Sequence, residues 1–313
     1  MSKFTSNNPV WFRFIITIYC ALYFGFIFTL SFLLSVIIGC IMFIYTFANI
    51  TETQWYIGWV FHNVSTLSTN PYLNPFWKIH FHPVSELLSL SQLKLQSQLK
   101  SNYDFLPSKK NTPVIVMCNH CSFSDVVIAP RIVFSWQCKY VSKESNFYIP
   151  IIGWGMKLAG DLVVRFTKEK GGWGTVKGSV EKLLKESKQT LCEEKTSIFV
   201  FPEGYCTGDS SDLASFKAGF FDVAIRAQCP ILPVVMVNTE RAWPVNSRLW
   251  DSADIHVQYG ELIYPPPPPS LSNSSPVEDK TKSDILHAHN VEELKKSTST
   301  SMKNMLDHLN KSY

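Results

Sequence analysis

His120 and Asp125 lie five residues apart in the run Asn119-His-Cys-Ser-Phe-Ser-Asp125, and together they supply a base and a carboxylate able to orient it. An unperturbed imidazole titrates at about 6.5, so at neutral pH it is mostly free to take a proton. If the carboxylate fixes one ring nitrogen as a donor, the other keeps its lone pair and can activate a hydroxyl. Such pairs also serve as plain structural contacts, so the surrounding chain has to decide between the two roles.

The segment before the pair, Pro113-Val-Ile-Val-Met-Cys118, is a short continuous apolar run that predicts a buried strand, with His120 at its C-terminal end. Ser124 or Asp125 is then expected to cap a helix through Val126, Val127, Ile128 and Ala129. The pattern repeats downstream. Ser197-Ile-Phe-Val-Phe201 reads as a second buried strand and runs into Phe201-Pro-Glu-Gly-Tyr-Cys-Thr-Gly208, which places Glu203 and Gly204 at another strand end. Sites gather at such ends in open α/β sheets. Phe216-Lys-Ala-Gly-Phe-Phe221 opens a helical pattern reaching Ala227, and Pro230 to Met236 reads as the next strand. An α/β fold follows: one catalytic domain with a mostly parallel central sheet flanked by helices, preceded by a membrane-embedded helical segment.

These residues resemble the glycerolipid acyltransferases, with 1-acyl-sn-glycerol-3-phosphate acyltransferase as the nearest type. Four blocks match in order: Asn119 to Asp125 (the family's NHxxxxD), Ala159 to Arg165, Phe201 to Gly204 (Phe-Pro-Glu-Gly), and Pro230 to Val234. The linking text Val141 to Ser145 and Ile149 to Trp154 is also similar. Two departures stand out. Tyr205, Cys206 and Thr207 replace the usual Thr-Arg-Ser, which removes the arginine associated with the acceptor's phosphate, and Ala159 and Val164 are unusual within their block.

The resemblance implies transfer of a fatty acyl group from a thioester, acyl-CoA or acyl carrier protein, to the free hydroxyl of lysophosphatidic acid. His120 is then the general base and Asp125 its orienter, and Asn119, Arg165, Glu203, Gly204 and Lys217 are substrate-binding. Arg165 is the expected main phosphate contact, with Lys217 sharing it. No cofactor or metal is implied. Another lysophospholipid or glycerol-3-phosphate as acceptor, or a weakened lipid-binding relative, remain the alternatives. No Gly-x-Ser-x-Gly run is present, so the expected attack is direct.

The chain of 313 residues has a formal net charge of +4, too small to argue for nucleic acid but suited to anionic headgroups. Lysines crowd the stretch from Lys139 to Lys188 and read mainly as solvated helix faces. From Phe14 to Thr51 there is no charged residue or histidine, a run of roughly 57 Å as one helix against a bilayer core of about 30 Å. A hairpin broken at Gly25 or Gly39 is expected, lying in a lipid bilayer with Trp11, Trp55, Tyr56 and Trp59 as interfacial anchors. The expected division is a membrane-associating hairpin at 10–60, an interfacial linker at 61–112, the catalytic domain at 113–264, and a proline-rich spacer with a largely disordered tail at 265–313. A short helix from Val291 to Leu309 is the one element expected in that tail. The endoplasmic reticulum with a cytosolic catalytic domain is the default location, a plastid-type envelope the other. Cys118 and Cys121 bracket His120 as C-x-x-C, but the other six cysteines offer no second close pair for zinc.

Overall fold

Side chains alternate between the two faces of a strand, so a run that is apolar at every position belongs in a sheet covered on both sides. A computed structural model, describing residues 8–82, 113–134, 136–169, 172–245, 247–267 and 276–313, places the predicted runs in this way. Its strands are β1 (Trp77–His82), β2 (Ile115–Cys118), β3 (Cys138–Lys143), β4 (Leu162–Val164), β5 (Phe166–Glu169), β6 (Gly172–Thr175), β7 (Ser197–Val200), β8 (Ile231–Val237) and β9 (Ala253–Tyr259). Seven of them form one sheet in the order β1-β9-β8-β2-β7-β3-β4, and β5 and β6 make a separate hairpin. Every junction in the large sheet is parallel except β8 with β9.

The helices are α1 (Val10–Tyr45), α2 (Ile50–Ser65), α3 (Ser124–Ile132), α4 (Ile152–Ala159), α5 (Ser179–Cys192), α6 (Gly219–Ala227), α7 (Thr239–Ala242) and α8 (Pro276–Ser312). One face of the sheet, carrying Val116, Cys118, Phe199, Val234 and Met236, is covered by α3 and by Ile16, Cys20 and Phe24 of α1. The opposite face, carrying Ile115, Met117, Ile198, Val200 and Val235, is covered by α5, α6 and α8. Each of these buried aliphatic or aromatic side chains contributes on the order of 1.5–3 kcal/mol relative to exposure.

The expected mostly parallel α/β sheet is therefore present, and four expectations about its surroundings need correction. The apolar N-terminal run does not break at Gly25 or Gly39; α1 is continuous over 36 residues. A glycine costs a helix only about 1 kcal/mol, and Gly39 is instead a contact point, since a Cβ there would lie 2.9 Å from Ile57. The chain turns later, at Phe47 and Ala48, both with positive φ, after which the Asn49 side chain accepts from the Glu52 N–H to start α2.

The segment assigned to an interfacial linker supplies β1, whose backbone pairs with β9 from Trp77↔Ala253 to His82↔Gln258; residues 83–112 lie outside the described ones. Within the tail, α8 is a 37-residue helix rather than a short one, and Leu294, Met302, Leu306 and Leu309 sit in the core. An apolar stripe at helical spacing has found a sheet face to cover, which is why this part of the tail is ordered. The fourth correction concerns the start of α3. Phe123 occupies the N-cap position with no side-chain cap, because the Asp125 side chain is used elsewhere.

Candidate active site

β2 ends at Cys118, α3 begins at Ser124, and His120 lies in the loop between them. His120 Nδ1 lies 2.8 Å from Asp125 Oδ2. The same oxygen accepts the backbone N–H groups of Cys121 at 2.6 Å and Ser122 at 2.8 Å. Three donors converging on one carboxylate oxygen fix both the carboxylate and the loop, so Asp125 turns back to hold the histidine instead of capping the helix. Asp125 is fully buried while the His120 side chain is 14% exposed, so the pair is open to solvent only on the imidazole side. With Nδ1 donating to the carboxylate, Nε2 carries the lone pair and is the proton acceptor.

Because β2 and β7 are parallel neighbours, the loop leaving β7 runs beside His120. Glu203 is fully buried there; its Oε2 accepts the His120 N–H at 3.0 Å and its Oε1 accepts the Ala214 N–H at 3.3 Å. Burial pushes the Glu203 carboxyl up to about 7, against the lowering effect of those two N–H groups. Both of its oxygens thus brace backbone around the base. Asn119 braces the site as well. Its amide accepts the Met236 N–H at 2.7 Å and donates to the Met236 carbonyl at 2.8 Å, tying the end of β2 to β8 in place of a ladder bond.

Gly204 has φ +76°, a conformation that favours glycine. The Lys217 side chain lies 3.5 Å from where a Gly204 Cβ would stand, and the Lys217 N–H donates to the Pro202 carbonyl at 2.8 Å. Gly204 and Lys217 are thus brought together one strand from His120. Arg165 is not. It follows β4, three strands from β2 and hence about 14 Å away at ~4.8 Å per strand. Its Nε is 2.8 Å from Glu144 Oε1, and it lines a cavity of about 730 Å³ shared with Lys139, Lys157, Lys177 and Lys182. Glu144, Asp161, Glu186 and Glu194 line the same cavity and leave it with little net charge.

Sequence reasoning missed two neighbours of the base. The Phe201 ring stacks on the imidazole with centroids 4.2 Å apart and planes 18° apart. Thr207 donates its N–H to the His120 carbonyl at 2.8 Å, with its hydroxyl 3.1 Å from the same oxygen. Both belong to the Phe201 to Gly208 run already singled out, but nothing in their spacing says that they face His120. Cys121, beside the base, is buried, and burial raises its thiol far above the ordinary range, so it is poorly suited to act as a thiolate nucleophile.

Comparison with known proteins gives the same reading of the central segment. Residues 99–237 match the family model described as Acyltransferase. A chloroplastic 1-acyl-sn-glycerol-3-phosphate acyltransferase of Arabidopsis thaliana is 32% identical over 142 residues, 45% of this chain and 36% of the relative. The 1-acyl-sn-glycerol-3-phosphate acyltransferase of Saccharomyces cerevisiae is 33% identical over 128 residues, 41% of this chain and 39% of the relative. The matches thus span well under half the length of these two relatives. Over 90% of this chain and 98% of the other, the fold matches the crystal structure of the 1-acyl-sn-glycerophosphate acyltransferase PlsC of Thermotoga maritima, with a TM-score of 0.53 at 20% identity. Residues 99–237 are thus similar to an acyltransferase-family domain.

Proposed function

We propose that this chain transfers a fatty acyl group from a thioester to the free hydroxyl of lysophosphatidic acid, giving phosphatidic acid. The observation that carries the reading is the His120–Asp125 pair, oriented from behind by a buried carboxylate and open at Nε2, at the end of a central strand. The relatives named as 1-acyl-sn-glycerol-3-phosphate acyltransferases support lysophosphatidic acid as the acceptor. In this reaction Nε2 takes the hydroxyl proton as the oxygen attacks the thioester carbonyl and a C–O bond forms. The tetrahedral intermediate then expels the thiolate as the C–S bond breaks, and the imidazolium returns its proton to the leaving sulfur. Such proton transfer contributes about two to four powers of ten in rate.

A lipid bilayer is the proposed setting. Trp11, Phe14, Ile18, Leu22, Phe26 and Ile37 of α1 are exposed, whereas Ile16, Cys20 and Phe24 of the same helix pack on the domain. Polar contacts tie its start to the domain as well: Arg13 Nε is 3.3 Å from Asp251 Oδ2, and the Asn8 amide donates to Asp251 Oδ1 at 2.6 Å. A helix held along one side by polar loops fits a position at the membrane surface better than a free-standing span, since a span would take those loops into hydrocarbon. The test is an assay of membranes containing the full chain with labelled acyl-CoA or acyl carrier protein and a panel of lysophosphatidic acid, lysophosphatidylcholine and glycerol-3-phosphate. Labelled phosphatidic acid as the main product supports the proposal, and the more efficient donor is identified in the same experiment. Binding of lysolipid without any acylated product would leave the lipid-binding relative.

A further inference from the structure

We propose that Phe201 is a positioning residue for His120, fixing the plane of the imidazole so that Nε2 faces the acceptor hydroxyl. This rests on the proposed base role of His120 and adds a residue to it. A histidine held through Nδ1 by one carboxylate is fixed along that hydrogen bond, but its terminal torsion is broad and leaves the ring free to tilt about it. The face-to-face contact with Phe201 at 4.2 Å and 18° removes that freedom.

Phe201 is itself held. Its ring meets the edge of Phe199 at 5.4 Å and 74°, and Phe199 is a buried residue of β7. The backbone after Phe201 returns to grip the same histidine, through Glu203 on its N–H and Thr207 on its carbonyl. One short loop therefore fixes the peptide of His120 at both ends and the plane of its ring, while Asp125 fixes the direction of Nδ1. Phe201 is partly buried and packs against the sheet core while it stacks on the imidazole, so it links the base to a fixed part of the fold.

Charge adds to the argument. As the hydroxyl proton moves to Nε2 the imidazole becomes a cation lying over the face of an aromatic ring, an arrangement that favours the charged form. The stacked ring thus accommodates the charge that forms on the imidazole during transfer as well as aiming it.

The experiment uses the full chain with Phe201→Leu, Phe201→Met and Phe201→Tyr beside His120→Ala. It measures kcat and KM for lysophosphatidic acid and acyl-CoA, and the mobility of the His120 ring by NMR relaxation. Removing the ring is expected to lower kcat about 10-fold, with KM for each substrate within about 2-fold. The His120 ring should become more mobile, and Phe201→Tyr should restore both values. The methionine variant keeps side-chain volume and serves if the leucine variant does not fold. A ringless variant with wild-type kcat and unchanged His120 ring mobility, or a tyrosine variant as impaired as the leucine one, overturns the proposal. The relaxation measurement reads His120 directly, so it decides the positioning role even if the acceptor proves to be another lysolipid. His120→Ala retaining activity would instead remove the base reading.

Discussion

Among the described residues, two His–Asp contacts with a buried carboxylate, at 2.8 and 3.1 Å, differ in everything that matters for chemistry. His120 and Asp125 meet at 2.8 Å in a loop at the end of β2, and the imidazole keeps one nitrogen open. His62 and Asp161 meet at 3.1 Å where α2 packs against β3 and the lead into β4, with side-chain exposures of 7% and 1%. There the Tyr140 N–H occupies the other Asp161 oxygen at 2.9 Å, and the Tyr140 ring lies 4.5 Å from the imidazole. His62 Nδ1 has no hydrogen-bond partner among the described residues and is closed to solvent. A histidine beside an aspartate is therefore not the signal; the signal is an oriented histidine with a nitrogen that a substrate can reach. The buried pair has the character of a clamp between the second helix of the hairpin and the sheet.

The largest expected effect separates the two pairs. His120→Ala and Asp125→Ala should each lower acyl transfer by about two orders of magnitude or more while leaving a folded protein. His62→Ala should do the reverse, costing about 3–5 kcal/mol of stability by leaving Asp161 buried without its partner. The activity of the folded fraction should change little. Product formation and denaturant unfolding, measured on the same samples, check both. If His62→Ala abolished turnover without destabilising the protein, the contrast between site and clamp would collapse.

A third histidine setting sharpens the comparison, because it has a histidine where the other two have an aspartate. His82 Nε2 is 3.0 Å from His256 Nδ1 between β1 and β9, and His80 and Tyr313 both stack on the His256 ring. Lys78, His80 and Asp254 on the two strands and His308 on α8 complete the charged surroundings. Burial pushes the His256 pKa down to about 4, assisted by His80 and His82. The folded state thus holds this imidazole neutral, whereas the unfolded chain protonates it at about 6.5. Its contribution to stability is present above about 6.5 and is lost as the pH falls from there towards 4. Unfolding at pH 7.5, 5.5 and 4.5 should show this loss, and His256→Gln should flatten it. An unchanged acid slope in that variant would assign the sensitivity elsewhere.

These three settings were unequally legible in the sequence. The His120 pair was readable because its partner is five residues away and follows a wholly apolar run, which fixes it at a strand end. The partners of His62 and His256 are 99 and 174 residues distant, and local pattern carries no information about such pairings. β1 was lost for the same reason, since Trp77 to His82 makes sense as a strand only once β9 lies beside it. The helix α8 was partly readable from the apolar spacing of Val291, Leu294, Met302, Met305 and Leu309, but the Ser- and Lys-rich text before it masked its length. Asn119 and Glu203 both lie within family blocks, and a block does not reveal that each also holds the loop: their bonds to Met236 and to the His120 N–H emerge only in the fold.

The smallest expected effect concerns the cations. Arg165 was expected to hold the acceptor's phosphate, but its guanidinium already pairs with Glu144 at 2.8 Å, and the two side chains are 54% and 36% exposed. An exposed pair of this kind contributes at most about 1 kcal/mol. Using Arg165 for a phosphate would mean breaking that pair and reaching across about three strand spacings from the base. Lys217 stands beside Gly204, one strand from His120, and is exposed. A lysine is a point charge and lacks the fork that matches a phosphate bidentately, so its effect should be moderate. We expect Lys217→Ala to raise KM for lysophosphatidic acid about 10-fold, with little change for acyl-CoA, while Arg165→Ala changes either by no more than about 2-fold. Acceptor titrations at fixed acyl-CoA check this. A larger acceptor effect from Arg165 would show that its pair with Glu144 opens when substrate binds, and would extend the acceptor site along the sheet edge from His120 to the cavity beside β4.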